Sequence, residues 1–233
     1  MYECRSPRIA IVDYGLGNLF NIKHACQYAG MKADVTSSKD DIFKADAVIL
    51  PGVGAFGDAM ASLKRLDLVD PLKELAEIGK PLIGICLGLQ LLLTSSNEFG
   101  EHKGLNVIKG KVRRFESPVA SDQILKIPQV GWNRISLPVY EKKDCRLEWE
   151  DTLLEGIKNN SFMYFVHSYY GVPDNPSVIL TETIYGDISF CSSLKYKNIY
   201  AFQFHPERSG TNGLKIYENL HSFIKKNIGV ANV

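Results

Sequence analysis

Residues 82–93 read LIGICLGLQLLL. An apolar run of this kind is what a strand buried on both faces looks like, and its leucine-rich continuation suits a helix. Between the two sits Cys86, with Gly84 and Gly88 two residues away on either side. G-x-C-x-G at a strand-to-helix turn is the cysteine version of a nucleophile elbow. The turn is sharp, and the glycines let neighbouring backbone pack closely. The side chain is thrust out at the carboxyl end of the strand, where open α/β sheets put their ligand crevice. The helix N-terminus beyond it favours thiolate, the attacking species, over thiol. A small buried core residue is the competing reading, since most free cysteines are that. The flanking glycines alone leave both open.

The rest of the first half fits such a turn. RIAIVDYG (8–15), KADVTSS (32–38) and ADAVILPG (45–52) read as strands, and NLFNIKHACQYAG (18–30) as a helix stopping at Gly30. DAMASLKRLDLVDPLKELAEIG (58–79) has a helical period, expected to break before Pro71. KPLIGICLG is a fourth strand and LQLLLTSS (89–96) the helix after it. Strands and helices alternating, with apolar strands, predict a parallel sheet covered on both faces. After about Gly100 the texture changes to short β-rich pieces: 104–115, 130–137, 161–171, 177–186 and 188–207. A helix over 213–228 closes the chain. The expected fold class is α/β, with a central mostly parallel sheet flanked by helices and an antiparallel β-rich second half. Ser117–Asp122 and Val172–Pro176 are the expected exposed loops.

A net charge of +1 gives no field that points to nucleic acid or an anionic membrane. No apolar stretch is long enough to span a bilayer, and the N-terminus carries no secretory pattern. Five cysteines (Cys4, Cys26, Cys86, Cys145, Cys191), an odd number without CxxC spacing, argue against a disulfide framework or a zinc site. They suit a reducing cytoplasm.

A nucleophile needs a base, and the base an orienter. Of five histidines, His24, His102 and His221 fall in helix or turn patterns and read as surface positions. His167, ending the aromatic strand FVHSYYG, is a competitor. His205 follows the apolar strand in AFQFHPERSG, with Glu207 two residues on and Pro206 fixing the backbone between them. Beside a cysteine elbow, that pairing reads as base and orienter. PGVG (51–54), directly after the third strand, would lie on the same sheet edge if the strands are parallel. Its N–H groups, with that of Leu87, could hold the oxygen of a tetrahedral intermediate. GVGAFG lacks the Lys-Ser/Thr of a phosphate loop, and GLGN (15–18) lacks the third glycine of a dinucleotide fingerprint.

PGVGAF, GICLGLQLL and FQFHPERSG, in this order, resemble the triad-type (class I) glutamine amidotransferases, as a single domain over residues 8–228. Within that family, DYGLGN, PGVGAF, GWN and HPERSG are most similar to the glutaminase-subunit branch serving imidazole glycerol phosphate synthase. The resemblance implies that Cys86 attacks the glutamine carboxamide, His205 is base and acid, and Glu207 orients it. It implies an oxyanion hole at Val53 and Leu87, and substrate contacts at Gly52, Gly54, Gln90, Ser168 and Tyr169. No metal or organic cofactor is implied. Ammonia is lost in water, so a partner is implied: a (β/α)₈-barrel cyclase forming a heterodimer in histidine biosynthesis. Asn18, Trp132, Asn133 and Arg208 are then the interface candidates. Two residues depart from the pattern, Gln129 for histidine and Leu89 for methionine. Gln129 at a subunit face would fit a paralogue feeding ammonia to a different synthase, such as one forming amidino groups on surface sugars.

Overall fold

The computed structural model describes residues 5–138 and 149–230. The N-terminal MYEC, with Cys4, and Cys145 lie outside the described residues. The first half runs β1 (Arg8–Val12), α1 (Leu19–Tyr28), β2 (Lys32–Thr36), α2 (Lys39–Lys44), β3 (Ala47–Leu50), α3 (Phe56–Arg65), α4 (Val69–Glu77), β4 (Leu82–Ile85) and α5 (Leu87–Leu91). The second half adds β5 (Ser95–Ser96), β6 (His102–Lys103), β7 (Gly110–Arg114), β8 (Val119–Ala120), β9 (Gln123–Ile124) and β10 (Gln129–Arg134). Then come β11 (Phe162–His167), β12 (Tyr169–Pro173), β13 (Ile179–Tyr185), β14 (Ile188–Tyr196), β15 (Ile199–Phe202) and α6 (Gly210–Val230).

A seven-stranded sheet in the order β13-β14-β15-β4-β3-β1-β2 organises these elements. Its five strands from β15 to β2 are parallel, and β14 and β13 extend it antiparallel. The mostly parallel sheet expected from the apolar runs is therefore present. Its strands are buried on both faces because successive side chains enter two different cores. Ile9, Ile11, Ile49, Ile83, Ile85 and Phe202 join α1 and α6 in one. Ala10, Val12, Val48, Leu50, Leu82 and Ala201 join α2, α3, α4 and α5 in the other. A period of two split between helix layers leaves no polar position, so the strands read as continuous apolar runs.

Three sequence expectations need correction. The helical stretch over 58–79 does break before Pro71, but the break falls at Leu66–Leu68, with Asp67 at φ 51°. Pro71 does not end a helix; it lies in the first turn of α4, where its missing N–H would have had no intrahelical partner. The helix after Cys86 stops at Leu91 rather than running to Ser96. The backbone of 105–108 donates to the carbonyls of Leu91, Leu92 and Leu93, which a longer helix would have used, and Ser95–Ser96 pairs with β7 instead. Val172 and Pro173 finish β12, hydrogen-bonded to β7, and are no loop. Ser117–Asp122 is exposed except for Pro118 and carries the β8–β9 hairpin.

Parallel strands end at a common edge. At the carboxyl ends of β1, β3, β4 and β15, neighbours in the sheet, the chain places Tyr14–Asn18, Pro51–Gly54, Cys86 and His205–Glu207. No helix among the described residues is long and apolar enough to cross a membrane.

Candidate active site

Cys86 occupies a strained turn: φ is 55° and ψ −109°, a conformation that costs a residue with a Cβ about 1–3 kcal/mol. The surroundings hold it there. Its N–H donates to the Phe202 carbonyl at 2.7 Å, tying the elbow to β15. A Cβ on Gly88 would collide with the Leu50 carbonyl, and one on Gly84 would press to 3.0 Å on the Gly88 backbone. The two glycines thus have separate reasons. Gly88 lets α5 approach the end of β3, and Gly84 lets α5 fold back over β4. The Cys86 side chain is 5% exposed, with Gln203 Nε2 at 3.7 Å and the Val166 carbonyl at 3.9 Å from Sγ.

His205 follows β15, the sheet neighbour of β4. Its N–H donates to the Tyr164 carbonyl, and its own carbonyl accepts from Ser209 Oγ at 2.7 Å. Ser209 Oγ in turn accepts from Tyr164 N–H at 3.0 Å, pinning the turn to β11. The ring is fixed by Nδ1, which is 2.8 Å from Glu207 Oε1, and the Glu207 side chain is fully buried. Nε2 makes no well-formed hydrogen bond among the described residues. Its neighbour is the Cys86 sulfur, close enough to act on the ring charge; such contacts often tighten only with substrate bound. Burial opposes the imidazolium, but the sulfur and the Glu207 carboxylate outweigh it and push the His205 pKa up to about 10. A buried imidazolium between a sulfur and a carboxylate can release a proton to a leaving nitrogen.

His167, the competing base, has the opposite environment. Burial, mainly among Phe115, Phe165 and Phe190, pushes its pKa down to about 4 despite a 2.8 Å contact from Nδ1 to the Tyr169 carbonyl. It stays neutral, and the nearby His205 charge also lowers its pKa.

A cleft of about 230 Å³ opens on the sulfur, lined by Val53, Gly54, Leu87, Gln90, Glu98, His167, Ser168 and Tyr169 among others. The expected substrate contacts Gly54, Gln90, Ser168 and Tyr169 are therefore together. Gly52 sits behind them: a Cβ there would meet the Tyr14 hydroxyl at 2.5 Å and Leu87 Cβ at 2.8 Å. The Gln90 amide nitrogen already donates to the Tyr169 carbonyl and to Gln203 Oε1. The Leu87 N–H, expected to be a free oxyanion donor, instead points at the Gly52 carbonyl at 3.3 Å.

The interface candidates divide. Trp132 is 55% exposed and packs edge-on against Tyr164, whose other neighbour is the Arg208 guanidinium at 4.8 Å from the ring centre. Those two residues share a surface beside His205. Asn133 does not: one residue along β10 it faces the other way, and its amide donates to the Ile184 carbonyl. Asn18 is half-buried, and its amide donates to Glu207 Oε1 at 3.1 Å. Gln129 is 3% exposed and opposite His167 in the β10–β11 ladder, so this departure lies inside the fold and not at a subunit face. Leu89 is core.

Sequence reasoning passed over three residues. Glu98 lines the cleft and accepts from the first N–H of α3 at 2.7 Å. Gln203 sits against the sulfur; a glutamine interrupting the apolar run AFQF (201–204) was its available signal. Tyr14 donates to the Pro51 carbonyl at 2.6 Å and braces the glycine loop. Among the described residues, no group of three His, Cys, Asp or Glu side chains is placed to hold a metal ion.

Residues 10–222 match the model of the class I glutamine amidotransferase family. The chain belongs to that family. It is 46% identical over 213 residues to imidazole glycerol phosphate synthase subunit HisH of Aquifex aeolicus, covering 91% of this chain and 95% of the relative. It is 42% identical over 210 residues to subunit HisH 1 of Legionella pneumophila (strain Paris), covering 90% and 96%. The same fold is seen in PurLQS from Thermotoga maritima, at a TM-score of 0.68 and 19% identity, over 94% of this amidotransferase and all of that chain.

Proposed function

We propose that this amidotransferase is the glutaminase subunit of imidazole glycerol phosphate synthase. It hydrolyses glutamine to glutamate and ammonia, and the ammonia passes to a cyclase partner, a (β/α)₈ barrel, in cytoplasmic histidine biosynthesis. The observation that carries the reading is the meeting of Cys86, His205 and Glu207 at adjacent strand ends, in a chain 41–46% identical to HisH subunits over about nine-tenths of its length.

The chemistry follows from the geometry. The Cys86 sulfur attacks the carboxamide carbon of glutamine, and the carbonyl oxygen becomes an oxyanion. His205, held by Glu207, gives its proton to the departing nitrogen. Ammonia leaves a γ-glutamyl thioester, which a water activated by His205 then hydrolyses. Glu98 supplies the carboxylate suited to the substrate's α-ammonium group, with Gln90 and the Ser168–Tyr169 backbone beside it. Val53 and Leu87 N–H groups form the oxyanion hole once the Gly52 carbonyl leaves Leu87. Losing one such donor typically lowers turnover about 10²–10³-fold, so the chain alone should be a slow glutaminase.

The partner surface is the outward face of β10 and β11. Val130, Trp132 and Phe162 are 60%, 55% and 46% exposed there, next to Arg208 and His205. Trp and Arg are residue types enriched at binding hot spots. The decisive test is reconstitution. Glutamine and the cyclase's nucleotide substrate should together yield imidazole glycerol phosphate, and the pair should hydrolyse glutamine faster than this chain alone. Glutamine turnover that ignores the partner would contradict the reading.

A further inference from the structure

The two oxygens of Glu207 are treated unequally. Oε1 accepts from His205 Nδ1 at 2.8 Å and from Asn18 Nδ2 at 3.1 Å. Oε2 is buried and has no hydrogen-bond partner among the described residues. An unsatisfied buried acceptor is costly, and more so when charged. One hydroxyl nearby has the same defect. Tyr217 on α6 is 3% exposed, and its Oη is also buried without a partner among the described residues.

The packing brings the two together. A Cβ on Gly213 would run into the Pro206 carbonyl, so this face of α6 lies directly on the turn that carries Glu207. Tyr217 is four residues further along, on the same helix face. Burial, then the Glu207 carboxylate and the Cys26 thiol of α1, hold the Tyr217 hydroxyl well above its ordinary pKa, so it stays protonated and can donate.

We infer that Tyr217 is a positioning residue of the triad, its hydroxyl serving Glu207 Oε2 directly or through one water while Oε1 serves His205. The carboxylate is then gripped at both ends and cannot rotate away from the imidazole. This rests on the role given to Glu207 above, and the carboxylate would have three donors instead of two. Tyr217 touches no reacting atom, so its removal should act on turnover and not on glutamine binding.

The test is Tyr217→Phe in the full chain with its cyclase partner, measured beside Cys86→Ala. The expected result is a kcat lowered about 3- to 10-fold with KM unchanged, the net worth of one ordinary hydrogen bond. On a Glu207→Gln background the same change should have little further effect, because both act through one carboxylate. An unchanged kcat with a raised Tm would show an orphan hydroxyl that the enzyme is better without, and would overturn the inference. So would a raised KM at constant kcat, or losses that multiply independently in the double variant. If Cys86→Ala retains full activity, the proposed site itself fails; if it is inactive and Tyr217→Phe is normal, only the role of Tyr217 fails.

Discussion

The carboxyl edge of the parallel sheet and the outer face of the β10–β11 ribbon lie side by side and are built in opposite ways. At the edge, Cys86, His205 and Glu207 are nearly enclosed; Cys86 and His205 are held by backbone as well as side-chain contacts, and Glu207 by its carboxylate. On the ribbon, Val130, Trp132 and Phe162 face outward. Tyr164 belongs to both regions: its carbonyl accepts from His205, and its ring packs on Trp132 and Arg208. The contrast teaches that the proposed catalytic groups are set by the fold, while the neighbouring exposed face is the one a second protein would cover in the proposed function. One residue of backbone separates the two.

The comparison breaks first at Cys86. Replacing it with alanine should lower glutamine hydrolysis by at least about 10⁴-fold while circular dichroism and Tm stay near wild type. Retained turnover would move the chemistry elsewhere. His205→Ala should come close to that loss. Glu207→Gln should cost less, about 10²-fold or more, because the imidazole keeps its place through the Tyr164 and Ser209 contacts but loses its charge partner. Steady-state rates rank the three variants, and a Glu207→Gln enzyme as fast as wild type would remove Glu207 from the mechanism.

Gly88→Ala attacks the same edge through packing. The added methyl meets the Leu50 carbonyl, so α5 or β3 must move. Overpacking of this kind costs about 1–3 kcal/mol. In a chain of this size that lowers Tm by roughly 2–4 °C per kcal/mol. Thermal denaturation measures it, and an unchanged Tm would mean that the elbow is looser than described.

The ribbon should answer differently. Trp132→Ala is expected to leave stability within about 0.5 kcal/mol, as exposed substitutions usually do. It should weaken cyclase binding by about 2 kcal/mol, roughly 30-fold, read by titration calorimetry. A large fall in Tm with unchanged binding would make Trp132 a fold residue.

The smallest effect sharpens the electrostatics. The Cys86 sulfur helps raise the His205 pKa to about 10. A raised pKa means that the imidazolium is favoured by the folded state. That contribution is complete below about pH 6.5 and is lost as pH rises through about 10. In Cys86→Ala the ring should titrate lower, and the alkaline fall in stability should start earlier. Ring-proton chemical shifts across pH 6–11 report the titration and denaturant unfolding over the same range reports the stability; identical titrations in the two proteins would mean that the sulfur does not act on the ring.

Much of this was legible in the sequence because it rests on local signals. Apolar runs fixed on two cores, glycines at the Cys86 turn and the His-Pro-Glu segment are short-range patterns, and all three fell where expected. What was not legible depends on contacts between distant segments. Nothing near Leu91 announces that 105–108 takes its carbonyl. Asn133 and Trp132 are adjacent in sequence, yet strand alternation sends them to opposite faces. Asn18 proved to be a Glu207 contact because β1 and β15 end at the same edge, 189 positions apart in the chain. Glu98 lies in a loop with no motif, and its bonds to Ser96 and to the start of α3 bring it to the cleft.

The central claim is that Cys86, and neither of the two other buried free thiols among the described residues, is the nucleophile. Burial holds Cys26 up at about 12 and pushes Cys191 higher still, so both stay protonated and inert. The direct measurement is incubation with an electrophilic glutamine analogue followed by peptide mass spectrometry. The account predicts a single adduct on the peptide containing Cys86, formed in step with loss of activity and blocked by glutamine. An adduct on Cys26 or Cys191, or inactivation that leaves Cys86 unmodified, would contradict it.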